Sequence, residues 1–255
     1  MIGPKILIYD IETSLQPVAV FQLKNNDWIN PDNILGERHL VSVCWKWLGE
    51  KKVYSVSLLD DPKRFEKDPH DDKHVATVFH RVLMEADCLV SHNGNSFDIK
   101  YLKTRMLVHK LPTLPPITSI DTYRIAKQQF LFNSNRLDYL GKLLGVGGKQ
   151  STPKGLWLDV LNGNRRAIKT MVEYNKRDVT LLEDVFKRLA PFMPTHLHRE
   201  LFGESGCPRC GSKHIQSRGV HRANTRIYQR FHCQACSGWF RLLKSEKGSA
   251  QFKSL

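Results

Sequence analysis

The chain has 255 residues and is 41% hydrophobic, enough for one large domain or for a medium domain and a small one. No apolar run approaches the roughly 20 residues of a membrane span, and no signal peptide is recognisable, so we expect no membrane partner and a cytosolic location, or the host cytosol for a viral chain. The formal charge of +14 is uneven, because residues 204–255 hold 10 Lys and Arg against 2 Asp and Glu. This asymmetry predicts a basic C-terminal segment that binds a polyanion. The alternative is a solvated tail.

The periodicity of apolar residues predicts an α/β domain, with a polar flap over residues 14–36 and a loop over residues 60–72. Strands are predicted over residues 4–11, 39–48, 53–58, 88–91 and 118–122. Helices are predicted over residues 74–85, 97–108, 123–130, 136–144 and 165–189.

Two carboxylates, Asp10 and Glu12, stand at the end of the first strand. A strand points residues i and i+2 to the same face, and two like charges buried side by side are costly unless a cation lies between them. Oxygen ligands favour a hard ion such as Mg²⁺ or Mn²⁺. For this pair alone, an exposed strand end with two solvated acids is an equal alternative.

Two later segments offer further acids. Asp98 follows a predicted strand and a turn rich in Asn and Gly, at the start of a predicted helix. Asp178 lies on the long helix of residues 165–189, four residues after Tyr174, so both side chains share one helix face.

Strand, helix start and late helix, in that order, resemble the three motifs of the DnaQ-like 3′–5′ exonuclease superfamily. The matching segments are YDIET at 9–13, NGNSFD at 93–98 and YNKRD at 174–178. The tyrosine of the third motif is similar to that of the subgroup shared by family B polymerase proofreading domains and stand-alone ribonuclease H-like exonucleases. The resemblance covers roughly residues 4–190 and implies a ribonuclease H-like mixed sheet flanked by helices.

The resemblance also implies the chemistry, in which four carboxylates would hold two Mg²⁺ or Mn²⁺ ions and a tyrosine would orient the attacking water. The carboxylates would be Asp10, which would bridge both ions, Glu12, Asp98 and Asp178, and the tyrosine would be Tyr174. The implied activity is release of nucleoside 5′-monophosphates from a 3′ end. The alternatives are an endonuclease of the same fold, against which the tyrosine argues, and a non-catalytic DNA-binding adaptor, against which the complete set of acids argues.

Residues near the second motif have two interpretations each. Asn93 is a turn former or a substrate contact, and Asp121 is an acid behind the site or the cap of the next helix. Phe97 is predicted to be a core residue, with stacking on a terminal base as the alternative.

Four of the six cysteines form two Cys-x-x-Cys pairs with 22 residues between them: Cys207 with Cys210, and Cys233 with Cys236. Cytosolic thiols stay reduced, so the pattern predicts one closed, structural Zn²⁺ site rather than disulfides or free thiols. Cys44 and Cys88 lie in apolar surroundings and are predicted to be small core residues.

The segment around these pairs resembles the zinc ribbons of transposases and other nucleic-acid proteins. Proteins bind single strands with cationic side chains that contact the phosphates and aromatic rings that stack on the bases. Candidate contacts are Arg218, Arg222, Arg226, Tyr228 and Arg230, whereas Trp239 and Phe240 are predicted to form the small core. The expected partner is single-stranded nucleic acid or a 3′ end, DNA before RNA, and proofreading would require a polymerase or replication partner in trans.

These patterns divide the chain into four parts. We predict a nuclease domain over residues 1–194, a linker over 195–206, a zinc ribbon over 207–243 and a tail over 244–255.

Overall fold

The computed structural model describes residues 5–20, 29–148, 151–193, 206–208, 210–222 and 227–243, without the side chains of residues 242 and 243. Part of the predicted flap, most of the linker, the tail and Arg226 lie outside these residues. The predicted division into domains therefore stays a prediction. No helix within the described ranges is both long and apolar enough to cross a membrane.

A five-stranded mixed sheet forms the centre of the first part of the chain, with strands β1 Ile6–Thr13, β2 Leu40–Trp47, β3 Tyr54–Ser57, β4 Cys88–Ser91 and β5 Thr118–Asp121. The order is β3-β2-β1-β4-β5. β1, β2 and β3 pair antiparallel, whereas β4 and β5 run parallel to β1. β1 ends two residues later than predicted because its pairing with β2 continues as far as Thr13.

Seven α-helices are described: α1 Pro62–Lys67, α2 Lys73–Met84, α3 Asp98–Val108, α4 Thr122–Gln129, α5 Leu137–Leu143, α6 Leu156–Leu161 and α7 Arg165–Leu189. Short 3-10 turns cover Pro31–Asn33, Leu58–Asp60 and Ala190–Phe192. The predicted loop over residues 60–72 is wrong for α1. The Asp61 side chain accepts from Arg64 N at 3.1 Å, Pro62 occupies the first turn, and Phe65 is buried.

The sheet is covered on both faces, and the alternation of side chains along β1 decides which face holds the acids. Leu7, Tyr9 and Ile11 face a core shared with α2 and α3. Ile8 faces the second core, which contains most of the buried residues of the C-terminal half of α7. Asp10 and Glu12 have the parity of Ile8 and therefore face α7. This architecture confirms the predicted mixed sheet flanked by helices.

A separate antiparallel sheet follows, formed by β6 Ile215–Arg222, β7 Ile227–Cys233 and β8 Trp239–Leu243. Its small core contains Cys207, Cys233 and Phe240. The prediction of a core position is correct for Phe240 and wrong for Trp239, which is 47% exposed. Neighbouring residues of a strand point to opposite faces, so only one of the two rings can enter the core.

Candidate metal centre and nuclease site

The site begins with the two acids of β1. Asp10 and Glu12 are both half-buried and lie opposite Cys44 and Ser42 of β2. The pairing register shifts directly after Glu12. Such an irregularity bends a strand locally and is common beside active sites.

Helix α7 supplies the third acid of the cluster. Asp178 is 2% exposed, and one carboxylate oxygen from each of Asp10, Glu12 and Asp178 lies within 4.8 Å of the other two. The chain thus brings together acids that are more than 160 positions apart in sequence. Carboxylates offer only acceptor oxygens, and three of them this close fit a hard divalent cation such as Mg²⁺ or Mn²⁺.

A further polar residue of this site, Asn175, was not among the predicted ones. Its side chain is fully buried, and Nδ2 donates to Asp10 Oδ2 at 2.7 Å. Asn175 lies one turn before Asp178, on the buried side of α7. A polar residue on the apolar face of an amphipathic helix was the available signal.

Asp98 lies beside this cluster but not within it. It is the first residue of α3 and is 5% exposed, and the backbone of Ile11, the residue between the two acids of β1, lowers the pKa of its carboxylate. Burial raises the pKa of Asp98 to about 7, and the carboxylate of Asp121 adds to this rise. A nearby divalent cation would favour the charged form.

Asp121 stabilises the turn before Asp98. It lies behind the site and also caps the next helix, so the two roles predicted for it as alternatives occur together. Its carboxylate caps α4 by accepting from Tyr123 N at 3.0 Å. It also accepts from Asn93 N at 2.8 Å and Asn95 N at 3.2 Å. Asn93 itself has a φ of 65°, the left-handed geometry of a turn former. At Gly94 an added Cβ would lie 2.1 Å from Ser91 Oγ, so the turn requires glycine there.

Two aromatic residues lie close in sequence to the acids of the site. Tyr174 is half-buried and lines a cleft of about 300 Å³ whose wall includes the cations Lys169 and Arg177. Phe97 is 37% exposed, contrary to the predicted core position, and stacks on Tyr101 with ring centroids 5.8 Å apart.

The four paired cysteines converge as predicted, with their sulfurs all within 4.8 Å of one another. The separations are 3.7 Å between the Sγ atoms of Cys207 and Cys236, and 3.6 Å between those of Cys210 and Cys233. A disulfide requires about 2.05 Å. Four ligands at the usual Zn–S distance of about 2.3 Å stand roughly 3.8 Å apart in a tetrahedron, so the cluster fits Zn²⁺.

The candidate nucleic-acid contacts of the ribbon are divided between its faces. Tyr228 and Arg230 share one face of β7. Arg222 points the other way, because its neighbour His221 is the residue that pairs with Tyr228. Arg218 is exposed, and its carbonyl oxygen accepts from Arg230 Nε at 3.0 Å.

A protein-family model described as the RNase_H superfamily matches residues 49–190, more than half of the chain. The chain therefore belongs to the ribonuclease H superfamily. The matched range includes Asp98 and Asp178 but begins after β1, so the first two acids are placed by the fold alone. No curated protein matches the sequence. Together with the three-acid cluster, membership of the superfamily supports a nuclease-type function.

Proposed function

We propose that the protein is a 3′–5′ exonuclease that depends on two Mg²⁺ or Mn²⁺ ions and releases nucleoside 5′-monophosphates. The observation that carries the proposal is the convergence of Asp10, Glu12 and Asp178 within 4.8 Å at the junction of β1 and α7. The exonuclease assignment adds to this the three motifs in their order and the tyrosine four residues before Asp178.

Each residue of the site has a separate role in this proposal. Asp10, Glu12 and Asp178 hold the ions, with Asp98 completing the set from the start of α3. Asn175 fixes the orientation of the Asp10 carboxylate through its hydrogen bond. The chemistry that two ions held there would supply is activation of a water and charge stabilisation of the attacking and leaving oxygens of an in-line displacement.

Tyr174 orients the water rather than removing its proton. A phenol with a pKa near 10 is neutral at pH 7 and can donate or accept a hydrogen bond there. Tyr174 lies on α7 four residues before Asp178, a spacing that places the two residues on the same side of the helix.

The proposed substrate is a single strand or an unpaired 3′ end, DNA before RNA, because the zinc ribbon is similar to those of DNA-binding proteins. We propose that one structural Zn²⁺ holds that ribbon. A proofreading role would require a polymerase supplied by another chain.

The test is digestion of 5′-labelled single-stranded DNA and RNA of matched sequence with Mg²⁺ or Mn²⁺. We expect products that shorten stepwise from the 3′ end, and an Asp10→Asn variant that makes none. Asp68→Asn is the matched control, since its carboxylate is exposed and lies outside the cluster. A circular strand of the same sequence should stay intact.

Two outcomes would overturn the proposal. Cleavage of the circle would show an endonuclease of the same fold. Tight binding of the linear strands without cleavage under any of these conditions would show a non-catalytic adaptor.

A further inference from the structure

We propose that one face of the ribbon sheet binds single-stranded nucleic acid by stacking unpaired bases on rings that alternate with cations. This ring-cation face consists of His221, Tyr228, Arg230, His232, Trp239 and Arg241. This inference rests on the proposed function, because the face would bind the substrate of the proposed nuclease.

The register of the three strands places these side chains together. Tyr228, Arg230 and His232 alternate along β7 and therefore share one face. Across β8, Arg230 pairs with Arg241, and His232 pairs with Trp239. Across β6, Tyr228 pairs with His221. The face thus extends over all three strands.

Rings and cations lie in contact along the face. The guanidinium of Arg241 is 4.3 Å from the ring centroid of Tyr228, and that of Arg230 is 5.1 Å from the ring of Trp239. The rings of His232 and Trp239 are 4.7 Å apart. Because nearly half of the Trp239 surface remains exposed, its ring is available for a base.

The charges of the face lack a carboxylate counterpart within the ribbon. Two arginines directly opposite each other in a sheet repel, yet Arg230 and Arg241 are so paired. Residues 206–243 contain seven Lys and Arg and no Asp or Glu. The Nε of Arg241 is buried, and no acceptor for it occurs among the described residues. A phosphate between the two arginines would offset their repulsion and give the Nε of Arg241 an acceptor.

The core of the ribbon lies on the opposite face of the sheet. Phe231 and Phe240 stack there with centroids 5.5 Å apart, next to Ile215 and the buried cysteines. The rings of the ring-cation face are therefore not required for the core. Rings that are exposed between arginines suit unpaired bases and phosphates, whereas a duplex keeps its bases stacked on one another.

The test measures binding by the full-length, zinc-loaded chain carrying Asp10→Asn, so that the probe is not cut. The probes are fluorescein-labelled oligothymidylate, oligouridylate and a DNA duplex, followed by anisotropy over a range of salt concentrations. In this background, Trp239→Ala should weaken single-strand binding about 5- to 100-fold. Its salt slope should not change, because no charge is lost.

The arginines should respond differently from the ring. Arg230→Gln with Arg241→Gln should reduce the salt slope on single strands by about 1.4, or roughly 0.7 for each lost phosphate contact. Trp239→Phe should restore most of the affinity lost in Trp239→Ala. The matched controls are Lys213→Gln, which removes an exposed cation outside the three strands, and Ile227→Ala on the opposite face, and both should bind like the parent.

Three results would overturn the inference. Unchanged affinity in every variant of the face would assign it to a protein partner instead. A loss per removed charge in Lys213→Gln equal to that in the arginine pair would show unspecific charge attraction. An equal effect of Trp239→Ala on the duplex would exclude base stacking.

Failure of this inference is distinguishable from failure of the proposed function. Single-turnover cleavage at saturating substrate, measured in chains with Asp10 intact, tests only the nuclease. Each variant should retain one zinc per chain, so a folding defect would be recognised by its zinc content.

Discussion

Asn175 contributes to the site through one hydrogen bond, from its Nδ2 to Asp10 Oδ2 at 2.7 Å. Asn175→Leu keeps the size of the side chain and removes that donor. Groups that orient metal ligands typically contribute 10- to 100-fold in metal affinity or activity, so we expect the Mn²⁺ concentration for half-maximal cleavage to rise by about that factor. The control is Thr180→Val, which removes a hydroxyl bonded only along the exposed side of the same helix. An unchanged Mn²⁺ requirement would reduce Asn175 to a packing residue.

His39 gives the fold a dependence on pH. Burial, and next the neighbouring His70, lower its pKa to about 4, against the opposing effect of Asp72. The unfolded chain protonates this histidine near pH 6.5 and so holds more protons than the folded chain between pH 6.5 and 4. The free energy of unfolding should therefore decrease as the pH falls through this range, by about 2 kcal/mol at pH 5 from this group alone.

The variant that tests this is His39→Asn, which keeps a polar group near the position of Nδ1, 3.1 Å from Ser14 Oγ. Urea unfolding at pH 7.5 and pH 5 should show a smaller loss of stability in the variant than in the wild type. Equal losses in the two proteins would show that His39 does not carry the effect.

At the same scale, the sequence allowed prediction of those site residues whose position follows from periodicity. The parity of a strand placed Asp10 and Glu12 on one face, and helical spacing placed Asp178 near Tyr174. Asn175 and the double role of Asp121 depend on contacts between distant segments, which no local period encodes. Trp239 was misplaced because a strand pattern alone does not tell which face is the core.

Helix α3 owes its position, and with it that of Asp98, to one buried carboxylate. Asp72 accepts from Leu40 N at 2.8 Å and from two nitrogens of Arg105, each at 2.7 Å, and its Oδ1 lies 2.6 Å from Nε2 of His109. It is fully buried. This network ties β2 to α3, the helix that begins with Asp98.

Asp72→Ala should therefore cost about 3–5 kcal/mol of unfolding free energy, since it leaves a largely buried guanidinium without its partner. The exposed pair between Lys5 and Glu85 is the control, and Glu85→Gln should cost no more than about 1 kcal/mol. Equal effects of the two substitutions in urea unfolding would contradict the structural role of Asp72.

The bounds of the longest helix were predictable, whereas two six-residue helices were missed. α7 has the predicted bounds because its apolar side repeats over seven turns. α6 was missed because six residues contain too little periodicity, although Leu156 and Val160 are buried with helical spacing. α1 was missed because its charges and proline were given more weight than the cap that Asp61 provides.

At the scale of the whole molecule, the cleavage rate and the affinity for substrate should be separable. A ribbon this small is expected to unfold without its metal, so Cys207→Ser with Cys210→Ser should lose the zinc and weaken the binding of single strands. The saturated cleavage rate should change much less, because the proposed catalytic acids lie outside the ribbon. Cys88→Ala, which removes a thiol from β4, is the control and should keep one zinc per chain.

A loss of the saturated rate with unchanged affinity would show that the ribbon serves the active site instead. Wild-type binding and zinc content in the double variant would refute both the zinc assignment and the role of the ribbon in binding substrate.

The most direct test of the account is the single-turnover rate of cleavage of a 5′-labelled single strand in Mn²⁺ by Asp10→Asn and Asp178→Asn. Both substitutions are isosteric and remove a charge from the three-acid cluster, so folding and binding should persist while cleavage is abolished. Loss of a residue that merely supports a ligand already costs about tenfold or more. Retention of more than about a tenth of the wild-type rate by both variants would contradict the metal-dependent nuclease site at the junction of β1 and α7.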